Sequence, residues 1–218
     1  PAATLPPRQV VLVLADDLGF DLGAYGSKAV RTPPLDLLAA RGIRRTQFYA
    51  GASLCTPSRA ALMTGRLPVR SGMASSKRVV LFPDSAGGLP QSEITVAEVL
   101  KGVGYNTAMV GKWHLGDQPE FLPTRHGFDH YYGLPYSNDM GRQAGREDRW
   151  PPLPLLRDDE VIQAQPDQTG LTERYVEEGV RFLRAHQDQP FFLYFAHMHV
   201  HLPLYACLLY TSPSPRDS

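Results

Sequence analysis

Apolar and polar positions divide the chain into blocks of two different periods. Val10-Val11-Leu12-Val13-Leu14-Ala15 is an unbroken aliphatic run, the pattern of a strand buried on both faces of a parallel sheet. It stops at Asp16-Asp17-Leu18-Gly19, and the carboxyl end of such a strand is where open α/β sheets keep their ligand chemistry. Helical spacing follows. Pro34–Arg41 predicts a short helix with Leu35, Leu38 and Ala39 on one face and Gly42 as its C-cap. Pro57–Thr64 predicts another, opened by Pro57 and Ser58 and stopped by Gly65. In Thr95–Val103 the residues Val96, Val99, Leu100 and Val103 recur at helical spacing, and Gly104 ends the run. Thr107–Val110 reads as a short strand running into Gly111-Lys112-Trp113-His114. Gln118–Pro166 is rich in Pro, Gly and polar residues and reads as loop. Leu171–His186 predicts an amphipathic helix with Leu171, Tyr175, Val176, Val180 and Leu183 on one side. Phe191–Ala196 is a further buried strand, running into His197, His199 and His201. The order β-α-α-β-loop-α-β, without internal repeat, predicts an α/β sheet.

Composition narrows the function classes. At 218 residues the chain has room for one ordinary domain, or part of a larger one. Hydrophobic residues at 43% and charged residues at 20% exclude a disordered tail. Lys+Arg and Asp+Glu both count 22, so no basic excess marks a nucleic-acid groove or a polybasic membrane surface. The run Val10–Ala15 is far too short to span a bilayer. Two cysteines exclude a disulfide-stapled scaffold. The chain starts at Pro1 without a signal-peptide pattern, so its true beginning is expected to be missing or removed. Its last residues, Cys207–Ser218, resemble the conceptual translation of a transposase-type sequencing adaptor, CLLYTSPSPRD. Residues 207–218 are therefore expected to be an artefact, which leaves residues 1–206 as protein and Cys55 as its one real thiol.

Two places carry candidate chemistry from residue type alone. Asp16 and Asp17 repel each other unless one is protonated or a cation neutralises both. Oxygen donors of this kind suit Ca²⁺ or Mg²⁺, while Asp-Asp-x-Gly is equally good turn chemistry. Cys55, in Ser53-Leu54-Cys55-Thr56-Pro57-Ser58-Arg59, falls just before a predicted helix start. Free N–H groups there lower a thiol pKa, and Arg59 adds a fixed positive charge one turn on. A buried structural thiol is the alternative. The three histidines from His197 to His201 alternate as a strand end does, with His197 and His201 on one side and His199 on the other. A metal-binding histidine comb is the rival reading of that segment. His126 and His130, around Gly127-Phe128, read as structural.

The segment Ser53–Gly65, SLCTPSRAALMTG, resembles the signature of the type I, formylglycine-dependent sulfatases. Gly104–His114, GYNTAMVGKWH, is similar to that family's second signature, and LADDLG to its metal-binding start. GRLPVRSGM, HGFDHYYGLPYSNDMG and PFFLYFAHMHVHLP add similarity to the arylsulfatase A-like branch. The resemblance covers Val10 to Ala206. It implies the N-terminal part of an alkaline-phosphatase-like α/β fold with a mostly parallel central sheet flanked by helices. It also implies a sulfuric-ester hydrolase in which Cys55 is oxidised to formylglycine by a formylglycine-generating enzyme. The aldehyde would hydrate to a gem-diol; one oxygen would attack sulfur and the other would later eliminate sulfate. On this resemblance Asp16, Asp17 and Cys55 hold one divalent cation, Ca²⁺ or Mg²⁺. Arg59 steadies the diol oxygen and the helix terminus, and His114 orients the diol. Lys112 and Ser137 bind sulfate oxygens. His201 is the acid near the leaving oxygen, preferred to His199 because the family places its histidine two residues before this proline. The substrate would be a sulfate-ester small molecule or a sulfated glycan or lipid, in a lysosomal, secreted or periplasmic setting. No nucleic acid and no membrane span are implied, and oligomeric state is unreadable.

The chain also departs from the family pattern. Phe20 runs directly into Asp21, one residue short of the usual loop, and Pro34 stands where Asn is usual. The family's later Asp-Asn pair and further lysine are absent from the 218 residues, so the chain by itself is expected to be inactive. A phosphatase or phosphodiesterase of the same superfamily would use Ser or Thr as nucleophile, against which Cys55, Pro57 and Arg59 argue. A non-catalytic binder of sulfated glycans is the remaining alternative.

Overall fold

The computed structural model describes residues 9–76 and 79–205; the tail from Cys207 lies outside them. Six strands form one mixed sheet. They are β1 (Gln9–Ala15), β2 (Asn106–Lys112), β3 (His130–Leu134), β4 (Pro154–Arg157), β5 (Glu160–Ala164) and β6 (Phe191–His197). Their spatial order is β1-β6-β2-β3-β4-β5. The first four in that order are mutually parallel. β4 and β5 add an antiparallel edge. The helices are α1 (Pro33–Arg41), α2 (Cys55–Thr64), α3 (Val96–Gly102) and α4 (Leu171–Ala185).

The two-residue period of the central strands sorts their side chains into two cores. On β6, Phe192, Tyr194 and Ala196 join Met109 of β2 and Tyr131 of β3, under Ala60 and Met63 of α2 and Ala97 of α3. Phe191 and Leu193 face the other way with Ala108 and Val110 of β2 and Tyr132 of β3, against Leu171, Tyr175 and Phe182 of α4. Each face thus has its own helical cover, the three-layer solution for a parallel sheet. The centre is packed backbone to backbone. Gly111 on β2 holds φ +110°, and a Cβ there would overlap the Ala196 carbonyl of β6. A Cβ at Gly133 on β3 would likewise overlap the carbonyl of Gly111. Only glycine fits either place.

Several expectations are corrected. β1 is not buried on both faces, because it ends the strand order with β6 as its one neighbour. Leu12 and Leu14 pack on the first core, while Val11 and Val13 face outward at 47% and 63% exposure. Gln118–Pro166 is not all loop: β3, β4 and β5 lie in it. α2 starts two residues early, at Cys55, and Gly65 caps it in the left-handed region as expected. Gly42 is extended and does not form such a cap on α1. On α3, Val99 and Val103 are exposed and Ala97 is buried. That helix is opened by a capping box between Thr95 and Glu98. The buried stripe of α4 is Leu171, Tyr175, Gly179 and Phe182, leaving Val176 and Val180 exposed.

Candidate active site

The carboxyl ends of β1, β6, β2 and β3 lie side by side, and the chain leaving each of them brings one functional group to a common point. β1 delivers Asp16, whose N–H donates to the His199 carbonyl at 3.1 Å and so ties β1 to the segment after β6. β2 ends in Lys112, fully buried beneath the site. The chain after β3 supplies Ser137, and the chain after β6 supplies His201. α2 points its N-terminus at the same place with Cys55 as its first residue. Uncapped N–H groups at a helix start attract negative charge.

The contacts form one network. The Lys112 ammonium donates to Asp16 Oδ2 at 2.5 Å, Ser137 Oγ at 3.1 Å and Cys55 Sγ at 3.4 Å. Arg59, one turn into α2, donates to Asp16 Oδ1 at 3.2 Å, to the Lys112 carbonyl and to the Tyr194 hydroxyl. Asp16 thus has a cation on each oxygen. Its burial favours the neutral acid, but Arg59 and Lys112 outweigh that and lower its pKa. For Arg59, burial works against the charge, and Tyr194 and Asp16 more than offset it. The Cys55 thiol is pushed up by burial but brought down on balance by His201, Lys112 and Arg59. Interaction with Cys55 raises His201 in turn, against its partial burial. His201 Nδ1 donates to the Leu202 carbonyl, and its Nε2 lies 3.7 Å from Asp17 Oδ2.

Asp16, Lys112, Cys55, Arg59, Ser137 and His201 are therefore brought together. Asp17 sits at the rim, its side chain 60% exposed and its backbone at φ +58°. His114 is placed differently. It is buried, with Nε2 at 2.8 Å from the Leu81 carbonyl, and burial holds its pKa well below the usual histidine range. Its Nδ1 has no partner among the described residues, and its backbone holds φ +64°. The expected alternation of the three histidines does not occur, because β6 stops at His197 and the chain turns. His197 and His199 lie ring by ring at 5.4 Å, and His201 alone reaches Cys55. His126 packs beside Trp113, and His130 is exposed on β3.

Two residues of the network were missed in the sequence. Thr56 Oγ1 donates to the His114 carbonyl at 3.0 Å and accepts from the Leu81 N–H at 3.1 Å, locking α2 to the segment that holds His114. Tyr194 backs the Arg59 guanidinium from β6. Neither lies in a recognisable spacing; only β-strand alternation on Phe191–Ala196 could have aimed Tyr194 at the α2 face.

A divalent cation suits part of this donor set. Asp16, Cys55 and His201 each present a donor atom, all within 4.8 Å of one another. Asp17 adds a carboxylate beside His201. Hard cations favour oxygen, so two carboxylates fit, and an oxygen-bearing derivative of Cys55 fits better than its sulfur. A cavity of about 420 Å³ lined by Asp16, Asp17, Ser53, Cys55 and Arg59 gives access to the point.

Known proteins are similar to this chain in sequence and fold. Human arylsulfatase A is 47% identical over 94% of this chain and 43% of its own length. Rat steryl-sulfatase is 39% identical over 92% of this chain and 47% of its own length. The crystal structure of Ps i-CgsB in complex with k-i-k-neocarrahexaose superposes with a TM-score of 0.80 at 31% identity, covering 98% of this chain and 49% of that one. The chain thus spans less than half the length of the curated relatives named here. The Sulfatase family profile matches residues 8–217, and the chain belongs to the sulfatase family.

Proposed function

We propose that the protein carrying this chain is an arylsulfatase-type sulfuric-ester hydrolase that works through formylglycine made from Cys55 and one divalent cation. The observation that carries the reading is the Lys112 ammonium, shared among Asp16, Cys55 and Ser137 at the N-terminus of α2. A sulfate ester placed there meets the donors of Lys112 and Ser137, the uncapped N–H groups of α2 and the Arg59 charge. All are preorganised for a developing negative charge. When present, the hydrated aldehyde would supply the nucleophilic oxygen and the cation would polarise the ester. Asp16 and Asp17, with the modified Cys55, would hold that cation, Ca²⁺ or Mg²⁺. Arg59 keeps Asp16 ionised and aimed. His201 fixes Nδ1 on a carbonyl, so Nε2, which faces Asp17 and Cys55, is the nitrogen to hold the proton that the leaving oxygen needs. His114, kept neutral by burial, positions the floor of the site through Leu81. The conversion of Cys55 assigns a formylglycine-generating enzyme as partner. The substrate is a sulfate ester of a small molecule, glycan or lipid, and the compartment lysosomal, secreted or periplasmic. Among the described residues no helix is long and apolar enough to cross a membrane.

The test uses the full-length gene product co-expressed with a formylglycine-generating enzyme. Mass spectrometry of the Cys55 peptide is expected to show conversion, and paired rates a preference for aryl sulfate over aryl phosphate. Cys55→Ala is expected to lower kcat by at least about 10³-fold. Preference for phosphate, or full activity in the Cys55→Ala variant, overturns the reading.

A further inference from the structure

A second cavity, of about 430 Å³, opens next to this cluster. Two of its wall residues continue the cluster itself. Asp139 follows Ser137 by two residues, and Pro203 follows His201 by two. Asn138, next to Ser137, donates its side-chain N–H to the Pro203 carbonyl at 3.3 Å, so the segments that carry Ser137 and His201 meet at this wall of the cavity. The wall is completed by Phe82, Arg146, Arg149 and Trp150. Trp150 stacks on Phe82 at 5.5 Å with an interplanar angle of 8°. The Arg149 guanidinium lies 5.3 Å over the same indole. Backbone bonds from Arg146 to Gln143 (2.9 Å) and from Arg149 to Arg146 (3.2 Å) make two successive turns, which bring both arginines to one rim.

These two cations are unspent among the described residues. Among the described residues Arg66, Arg125, Arg157 and Arg181 each pair with a carboxylate. No salt bridge among the described residues takes up Arg146 or Arg149. A guanidinium laid on an aromatic face keeps its in-plane donors available and has less freedom to lose when it binds. Its fork matches the oxygens of sulfate or carboxylate. Nothing in the packing of the sheet requires this pedestal, because Phe82 and Arg149 are both exposed.

We propose that this cavity receives the departing part of the substrate, and that Arg146 and Arg149 select a sulfated sugar bearing a second anionic group over a neutral sulfate ester. The assignment rests on the sulfatase reading above. Asp139 and Pro203 join the cavity to the segments of Ser137 and His201, where the leaving oxygen would sit, and the basic pair shares the same wall. The second charge is therefore expected close to the scissile ester, on the same or the adjoining ring.

The experiment uses the full-length, converted enzyme and three probes. They are a disaccharide with the reacting sulfate and a second sulfate, the same disaccharide with the reacting sulfate alone, and 4-nitrophenyl sulfate. The wild type is expected to favour the disulfated sugar in kcat/KM by about tenfold or more over the monosulfated one, the scale of one charge-assisted contact. That preference should shrink as salt is raised. The Arg146→Ala/Arg149→Ala double variant is expected to erase the ratio through KM. Trp150→Ala should weaken it by unseating Arg149. Arg149→Lys should keep part of it, having the charge without the fork. A wild-type ratio near one, or a ratio unmoved in the double variant, overturns the proposal. Turnover of 4-nitrophenyl sulfate without preference between the sugars sinks the proposal alone, whereas no turnover of any sulfate ester sinks the sulfatase reading with it.

Discussion

Between Gln9 and Leu54, Asp16 is the single buried residue, whereas every residue from Thr107 to Gly116 is buried. The two stretches meet in the site, and each holds its functional group in place by different means. Lys112 is fixed by packing: its strand lies between β6 and β3, with Met109 and Val110 in opposite cores. Asp16 comes from an edge strand whose outer face is open. What holds its carboxylate is charge, supplied by Arg59 and Lys112. Half of the cluster is therefore rigid because of what surrounds it, and the other half because of what it binds. A carboxylate held in that way can exchange partners, which suits a group that must share its oxygens with a cation.

The largest expected effect belongs to the packed side. Trp113 is fully buried, beside His126 and Phe128, with its indole N–H on the Phe121 carbonyl at 2.8 Å. Trp113→Ala should cost about 3–5 kcal/mol of stability, read from urea unfolding. A loss under about 1 kcal/mol would remove the contrast between the two stretches. The next test concerns the charges at the seam. In protein left unconverted, Cys55 should alkylate at lower pH than a free thiol, because His201 and Lys112 outweigh its burial and lower its pKa. His201→Ala removes one of these influences, so the pH profile of iodoacetamide reactivity should move upward; an unmoved profile would mean that His201 does not face the thiol in solution. The smallest effect belongs to the open side. Leu38 on α1 is 70% exposed, and Leu38→Ala should change stability by less than about 0.5 kcal/mol. A cost near 2 kcal/mol would show that something covers α1 in solution.

The parts of this architecture that could be read in advance are those with long, clean periods. The strand cores of β1, β2 and β6 and the length of α4 follow from runs that local physics alone decides. β3 escaped because His130–Leu134 is five residues long and lies between Gly and Pro. β4 and β5 form a hairpin around Asp158-Asp159, where turn residues masked two short strands. An aliphatic run such as Val10–Leu14 signals burial, but whether it has one neighbouring strand or two is decided elsewhere in the chain. The site was legible in its residue types and much less so in its geometry. Cys55, Lys112 and His201 converge. His114 instead turns its Nε2 to Leu81, a partner fixed by a loop with no pattern of its own. Tyr194 and Thr56 owe their place in the network to tertiary packing, which no short spacing encodes.

The close approach of strands at Gly111 bears on how inherited variation in such a gene should be interpreted. A missense change at codon 111 would place an atom where the Ala196 carbonyl already is, two strands would have to part, and Lys112 next door would lose its footing. The phenotype would be that of a null allele although every reacting group is intact. Such a lesion would lower the amount of protein in the cell, whereas a change at Cys55 would leave the amount and remove the chemistry. Immunoblotting beside an activity assay tells these two classes of allele apart, and in the first class a small molecule that stabilises the folded state has something to rescue.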